Sequence, residues 1–163
     1  MGAAVLGYRL AVDRLLAGGA DTDKKTLYGR TALMWAAGFH YPDVVKSLLA
    51  NNANYNCQDN EGKSALLYAL GDGAPNIVLT PLMSQSPVLS TASHKYKGYF
   101  HNKRAGADGP GNSEDSVHDT VMLLLNANAD PRVYDKKGRS AMQQANTVGY
   151  IDLIASLKEA GAK

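Results

Sequence analysis

The residues whose chemistry could go beyond packing are few: His40, His94, His101, His118, Cys57 and the carboxylate group Glu114, Asp115 and Asp119. Histidine and cysteine hold metals when they recur at short, fixed spacings on one element. No such spacing occurs here. His94 and His101 fall on a glycine-containing stretch and match no recognised zinc pattern. Cys57 is single, so it forms no internal disulfide, and a thiol with no base at hand is a structural residue first. The three carboxylates open an expected helix, where acidic groups favour its dipole. Gly106-Ala-Asp-Gly-Pro-Gly111 lacks the preceding strand and the lysine of a phosphate loop. The sequence thus predicts no catalytic residue, no metal ligand and no cofactor.

Contact chemistry is better represented. Between Asp72 and Asp108 there is no acid, while His94-Lys95-Tyr96-Lys97-Gly98-Tyr99-Phe100-His101-Asn102-Lys103-Arg104 alternates cations with aromatic rings. Lys95, Tyr96, Lys97, Tyr99, Phe100, Lys103 and Arg104 could anchor and steer an acidic partner surface. The competing reading is a solvated loop whose rings fold back onto the body of the protein. The net charge of the whole chain, +2, is too small to imply a polyanionic partner. Nucleic-acid binding through this run is a disfavoured alternative, with steep salt dependence as its signature.

Behind these residues stands a repeat. Gly29-Arg-Thr-Ala-Leu-Met-Trp-Ala-Ala returns 33 residues later as Gly62-Lys-Ser-Ala-Leu-Leu-Tyr-Ala-Leu, and 76 residues after that as Gly138-Arg-Ser-Ala-Met-Gln-Gln-Ala-Asn. A second landmark keeps the same offsets: Leu15-Leu16 to Asp21, Leu48-Leu49 to Asn54, Leu124-Leu125 to Asp130, and Leu157 to Ala162. A fixed period of this length means stacked supersecondary units. Thr31, Ser64 and Ser140 can cap a first helix. Gly29, Gly62 and Gly138 fit a turn that needs positive φ. Ala36, Ala69 and Ala145 keep that helix thin. Val12/Leu15/Leu16, Val45/Leu48/Leu49 and Val121/Leu124/Leu125 form one apolar stripe on a second helix. That helix stops at Gly19, Asn52, Asn128 and Gly161, residues that tolerate the left-handed position. No apolar run approaches the roughly 20 residues of a membrane span. Leu6 stands where a myristoylation signal needs Ser or Thr.

The pattern Gly-x-Thr-Ala-Leu-x-x-Ala-Ala, Val-Val-x-x-Leu-Leu, Ala-Asn/Asp resembles the ankyrin repeat, and Tyr28 to Asn56 match it almost throughout. The resemblance implies an all-α solenoid of stacked helix-turn-helix units with hairpin loops. It is parsed as one domain over 1–163, with units at about 1–25, 26–58, 59–134 and 135–163. An insertion of about 73–115 interrupts the third unit, rich in proline and glycine. A degenerate extra repeat beginning at Thr80-Pro81-Leu82-Met83 is the weaker parse. Ala32, Ala65 and Ala141 replace the family's proline, and Met34, Leu67 and Gln143 its histidine, which puts that histidine's hydrogen-bond network in doubt. Lys158 gives the last unit a polar outer face, as a terminal cap requires. The first unit lacks most of its first helix, either as a short start or because the natural protein extends further.

The family's geometry also implies a concave face lined by hairpin tips, here Leu27/Tyr28, Asn60/Glu61 and Lys136/Lys137. Trp35 and Tyr68 fall at a position that the family leaves facing solvent, with Phe39 on the same side; cover by the insertion is the competing reading. The functional expectation is a non-catalytic module binding one protein partner. A stoichiometric enzyme inhibitor or self-protection protein is the sharper form. A regulatory or targeting segment of a larger protein is the alternative. The chain is expected to be soluble and monomeric when unbound, with no membrane role. Its compartment is left open, with the cytoplasm as default and export open if a leader was removed.

Overall fold

The computed structural model describes residues 1–71 and 114–162. Among them are eight helices: α1 (Gly2–Val5), α2 (Arg9–Ala17), α3 (Ala32–Gly38), α4 (Pro42–Ala50), α5 (Ala65–Leu70), α6 (Glu114–Asn126), α7 (Ala141–Val148) and α8 (Ile151–Glu159). The only β pairing among the described residues is an isolated bridge between Tyr134 and Ser140. The first helices, α1, α3, α5 and α7, pack side by side in one layer, and the second helices, α2, α4, α6 and α8, in another. The core lies between the layers. It is thin on one side because Ala36, Ala69 and Ala145 are fully buried, and filled from the other by Val45, Leu48, Val121, Leu124 and Leu157. Small residues let the backbones of the first helices approach, so the large aliphatics of the second helices close the gap.

The helix ends follow the chemistry of their caps. Thr31 Oγ1 accepts from Met34 N, Ser64 Oγ from Leu67 N and Ser140 Oγ from Gln143 N, each satisfying an N–H that the helix leaves free. Asn52 and Asn128 take φ of 61° and 64°, and Gly19 and Gly161 take 80° and 94°. These are the left-handed stops that the alternation of Gly and Asn predicts. Two of the three residues standing in for the family's histidine act locally: Met34 Sδ accepts from Thr31 N and Gln143 Oε1 from Ser140 N, completing capping boxes that Leu67 cannot make.

Successive hairpins are joined by other means. Asn60 N donates to Tyr28 O at 3.0 Å, and Lys136 N donates to Glu61 O at 2.8 Å. Below the tips, Asn54 N donates to Asp23 Oδ1 and Asp130 N to Asn56 Oδ1. The hairpin at 59–62 and the hairpin at 135–138 are therefore direct neighbours, and α5 packs on both α6 and α7. Helix α6 opens at Glu114, so the last two residues of the expected insertion, 114 and 115, are helical, with Asp115 near the positive end of the dipole. Residues 73–113 of the expected insertion, the alternative repeat at Thr80–Met83, and the contact residues Lys95, Tyr96, Lys97, Tyr99, Phe100, Lys103 and Arg104 lie outside the described residues. No helix among the described residues is long and apolar enough to cross a membrane.

Candidate functional site

Each hairpin is built on a residue three positions before its glycine. Thr26, Asp59 and Asp135 occupy that place, and in each case the carbonyl accepts from the glycine N–H while the side chain binds the turn. Asp59 Oδ1 accepts from Glu61 N and Lys63 N, and Asp135 Oδ1 from Lys137 N and Arg139 N. A buried carboxylate must be neutralised as well as hydrogen-bonded. Arg139 does this for Asp135 within one hairpin, with Nε at 2.8 Å and Nη2 at 2.7 Å from Oδ2. Asp59 is served from other elements: the Tyr68 hydroxyl of α5 donates to its Oδ2, and Arg30 Nε of the preceding hairpin lies 3.6 Å away.

Tyr68 thereby becomes a structural residue. Sequence reasoning placed it on a solvent-facing position, but it is 3 % exposed, and its hydroxyl also accepts from Arg30 Nε at 2.9 Å. Burial, and then the hydrogen bond to Asp59, push its phenol well above the ordinary tyrosine range. Phe39 is likewise buried, stacked between Trp35 at 6.2 Å and Tyr41 at 6.0 Å. It supports the face without being available to a partner. Trp35 is half-buried and forms one wall of an aromatic surround for Arg30, whose guanidinium carbon lies 5.4 Å from the Tyr28 ring, 5.5 Å from Trp35 and 5.8 Å from Tyr68. Cation–π contacts of this kind hold a side chain that would otherwise sweep a wide volume.

The remaining expected contact residues are at the surface. Tyr28 is 66 % exposed beside Leu27 at 96 %. Glu61 is exposed, with its carboxylate 3.0 Å from Lys63 Nζ; Lys136 and Lys137 are exposed at the third tip. Sequence reasoning missed Arg30, Asp59, Asp135 and Arg139. Their signal was present as Thr26/Asp59/Asp135 and Arg30/Lys63/Arg139, which keep the same period around each glycine. No group of three or more His, Cys, Asp or Glu residues that could hold a metal occurs among the described residues. Burial raises the Cys57 thiol above its ordinary value, opposed by Lys25 and reinforced by Asp23, so nothing activates it as a nucleophile.

A ladder of capped helix pairs joined through hairpin carbonyls is a repeat architecture. The family model described as ankyrin repeats, in three copies, matches residues 1–86. The chain belongs to the ankyrin-repeat family. Among solved structures it is similar to an ankyrin repeat domain from Acinetobacter baumannii AYE, with 30% sequence identity and a TM-score of 0.70. The match covers 99% of this chain and 63% of that one, so this chain spans less than two thirds of that structure's length. No curated protein matches it in sequence. Ankyrin repeats are generally protein–protein interaction modules and typically non-catalytic.

Proposed function

We propose that this ankyrin-repeat chain binds one specific protein partner through its hairpin tips and the aromatic wall behind them, with the basic, aromatic segment 94–104 as a second contact. The observation that carries this reading is the outward display of Leu27 and Tyr28 on a hairpin whose tip is held twice by the next hairpin. Asn60 N holds Tyr28 O, and Asn60 Nδ2 donates to Leu27 O at 3.0 Å. Apolar and aromatic groups presented on rigid backbone lose little entropy on binding, and Tyr and Trp dominate interface energetics. The hairpins carry exposed Lys24, Lys25, Lys136 and Lys137 against one exposed acid at the tips, Glu61, which favours an acidic partner surface. An acidic enzyme held by a stoichiometric inhibitor, or by a self-protection protein, fits this surface. The alternative is a regulatory or targeting segment of a larger protein.

The deciding experiment is affinity capture from the source cell with wild type and with a Leu27→Asp/Tyr28→Ala double variant. Both residues are exposed, so the variant folds; loss of one specific protein is expected. Equal recovery of every protein by both baits would sink the tip proposal. Deleting residues 76–112 tests the second contact separately, and unchanged partner affinity would remove it.

A further inference from the structure

Arg30 differs from its two counterparts in one respect that bears on recognition. Lys63 is paired with Glu61, and Arg139 places two nitrogens on Asp135. Arg30 has no carboxylate in its own hairpin, because Thr26 stands where Asp59 and Asp135 stand in the others. Its Nε binds the Tyr68 hydroxyl and forms an ion pair with buried Asp59 Oδ2 at 3.6 Å, too long for a hydrogen bond, which leaves the two Nη groups at the other end of the fork. Neither Nη1 nor Nη2 meets a hydrogen-bond acceptor among the described residues, although the side chain is only 14% exposed. The indole N–H of Trp35, which flanks it, also meets no acceptor among them.

We infer that Arg30 is a carboxylate-binding site: its two Nη groups take an Asp or Glu side chain of the protein partner, between the walls of Tyr28 and Trp35. The inference rests on the proposed protein-binding function and names the chemistry at its centre. A guanidinium offers a planar fork that matches a carboxylate through two parallel N–H···O bonds. Here the fork is already held by three rings and by Tyr68, and most of its hydration is lost on folding. Binding a carboxylate then costs little further ordering or desolvation of the arginine. The exposed faces of Leu27 and Tyr28 alongside would seat an apolar neighbour of that acid. The occupant is therefore an acidic side chain next to an apolar one on the partner's surface.

The test uses random ten-residue peptides displayed and selected on the full chain. Enriched peptides are expected to carry Asp or Glu beside an apolar residue, and to change the fluorescence of Trp35, the chain's one tryptophan. For the best peptide, Arg30→Gln should weaken binding at least ten-fold, while Arg139→Gln, whose guanidinium is already paired, should leave it unchanged. Changing the peptide's acid to its amide should cost wild type a similar factor and cost Arg30→Gln nothing more, the coupling of a direct pair. Arg30→Lys keeps the charge without the fork and should recover only part of the affinity, which separates pairing from general attraction. Circular-dichroism melts of each variant establish that it is folded. Selected peptides without acid that still need Tyr28 and shift Trp35 would overturn the carboxylate site and leave the protein-binding function standing. Peptides that bind without touching Trp35 or Tyr28 would overturn the carboxylate site and the tip surface together.

Discussion

Asp59 and Asp135 occupy the same place in their hairpins but are neutralised from different directions, and this sets two pH dependences. Burial raises the Asp135 carboxyl, but the N–H groups of Arg139 and Lys137 and the Arg139 guanidinium outweigh it and leave the pKa below its ordinary value. Entering the acid range, the unfolded chain takes up a proton at this group before the folded chain does. Stability present at neutral pH therefore falls as pH drops from the usual carboxylate range through the folded value. Asp135→Asn should lose about 1–3 kcal/mol at neutral pH and flatten that acid slope, read from urea melts at stepped pH. Tyr68 works at the other end. Its raised pKa means that the unfolded chain releases the phenol proton first, so stability falls as pH rises above the ordinary tyrosine range. Tyr68→Phe should remove this alkaline slope and cost about 1–2 kcal/mol at neutral pH, because Asp59 Oδ2 loses its donor. At this scale the sequence was only partly legible. Aromatic identity marked Tyr28 and Trp35. The burial of Tyr68 depends on a carboxylate nine residues earlier and an arginine from the previous unit, and no single repeat contains that triad.

The hairpins and helix pairs were far more legible, since local rules decide them. Caps, left-handed stops and the apolar stripe each depend on residues within one or two turns, so 33-residue periodicity reveals them all. What the period does not reveal is how close neighbouring units come, and the glycines measure this. Gly29 and Gly138 both have positive φ, 76° and 74°. A Cβ at Gly29 would lie 2.6 Å from Asn60 Oδ1 and 2.9 Å from Asn60 N, whereas one at Gly138 meets nothing within 4 Å. Gly138→Ala should therefore cost only the backbone conformation, about 1–2 kcal/mol. Gly29→Ala adds a clash with backbone that carries the Tyr28–Asn60 hydrogen bond, a further cost of about 1–3 kcal/mol. Urea denaturation of the two variants checks the order, and equal losses would mean that the hairpin ladder yields freely. The caps form a milder series: Thr31→Ala should cost about 1 kcal/mol.

At the scale of the whole molecule, the stack is directional. Each second helix carries an inner leucine that the unit before it covers: Leu48 is 2% exposed, Leu124 and Leu157 are 0%, but Leu15 of the first unit is 54%. Tyr8 shows the same contrast at 58%, against a half-buried Tyr41 and Tyr150 and a buried Val117. The opposite end behaves differently. The position that faces a following unit carries Leu16, Leu49 and Leu125, then exposed Lys158. One end of the described stack is thus polar and the other apolar. A repeat protein's stability is a sum of unit terms and nearest-neighbour interfaces, so a leucine's worth depends on which neighbour covers it and not on distance from the chain's centre. Leu157, in the last helix, should behave as a core residue, and Leu157→Ala should cost about 2–5 kcal/mol, as should Leu48→Ala. Leu15→Ala should cost about 1 kcal/mol or less, since most of that side chain is already in water. Midpoints of urea unfolding for the three variants decide it. A Leu157 variant as mild as the Leu15 variant would mean that the ends fray symmetrically and that the preceding unit is not what buries each leucine.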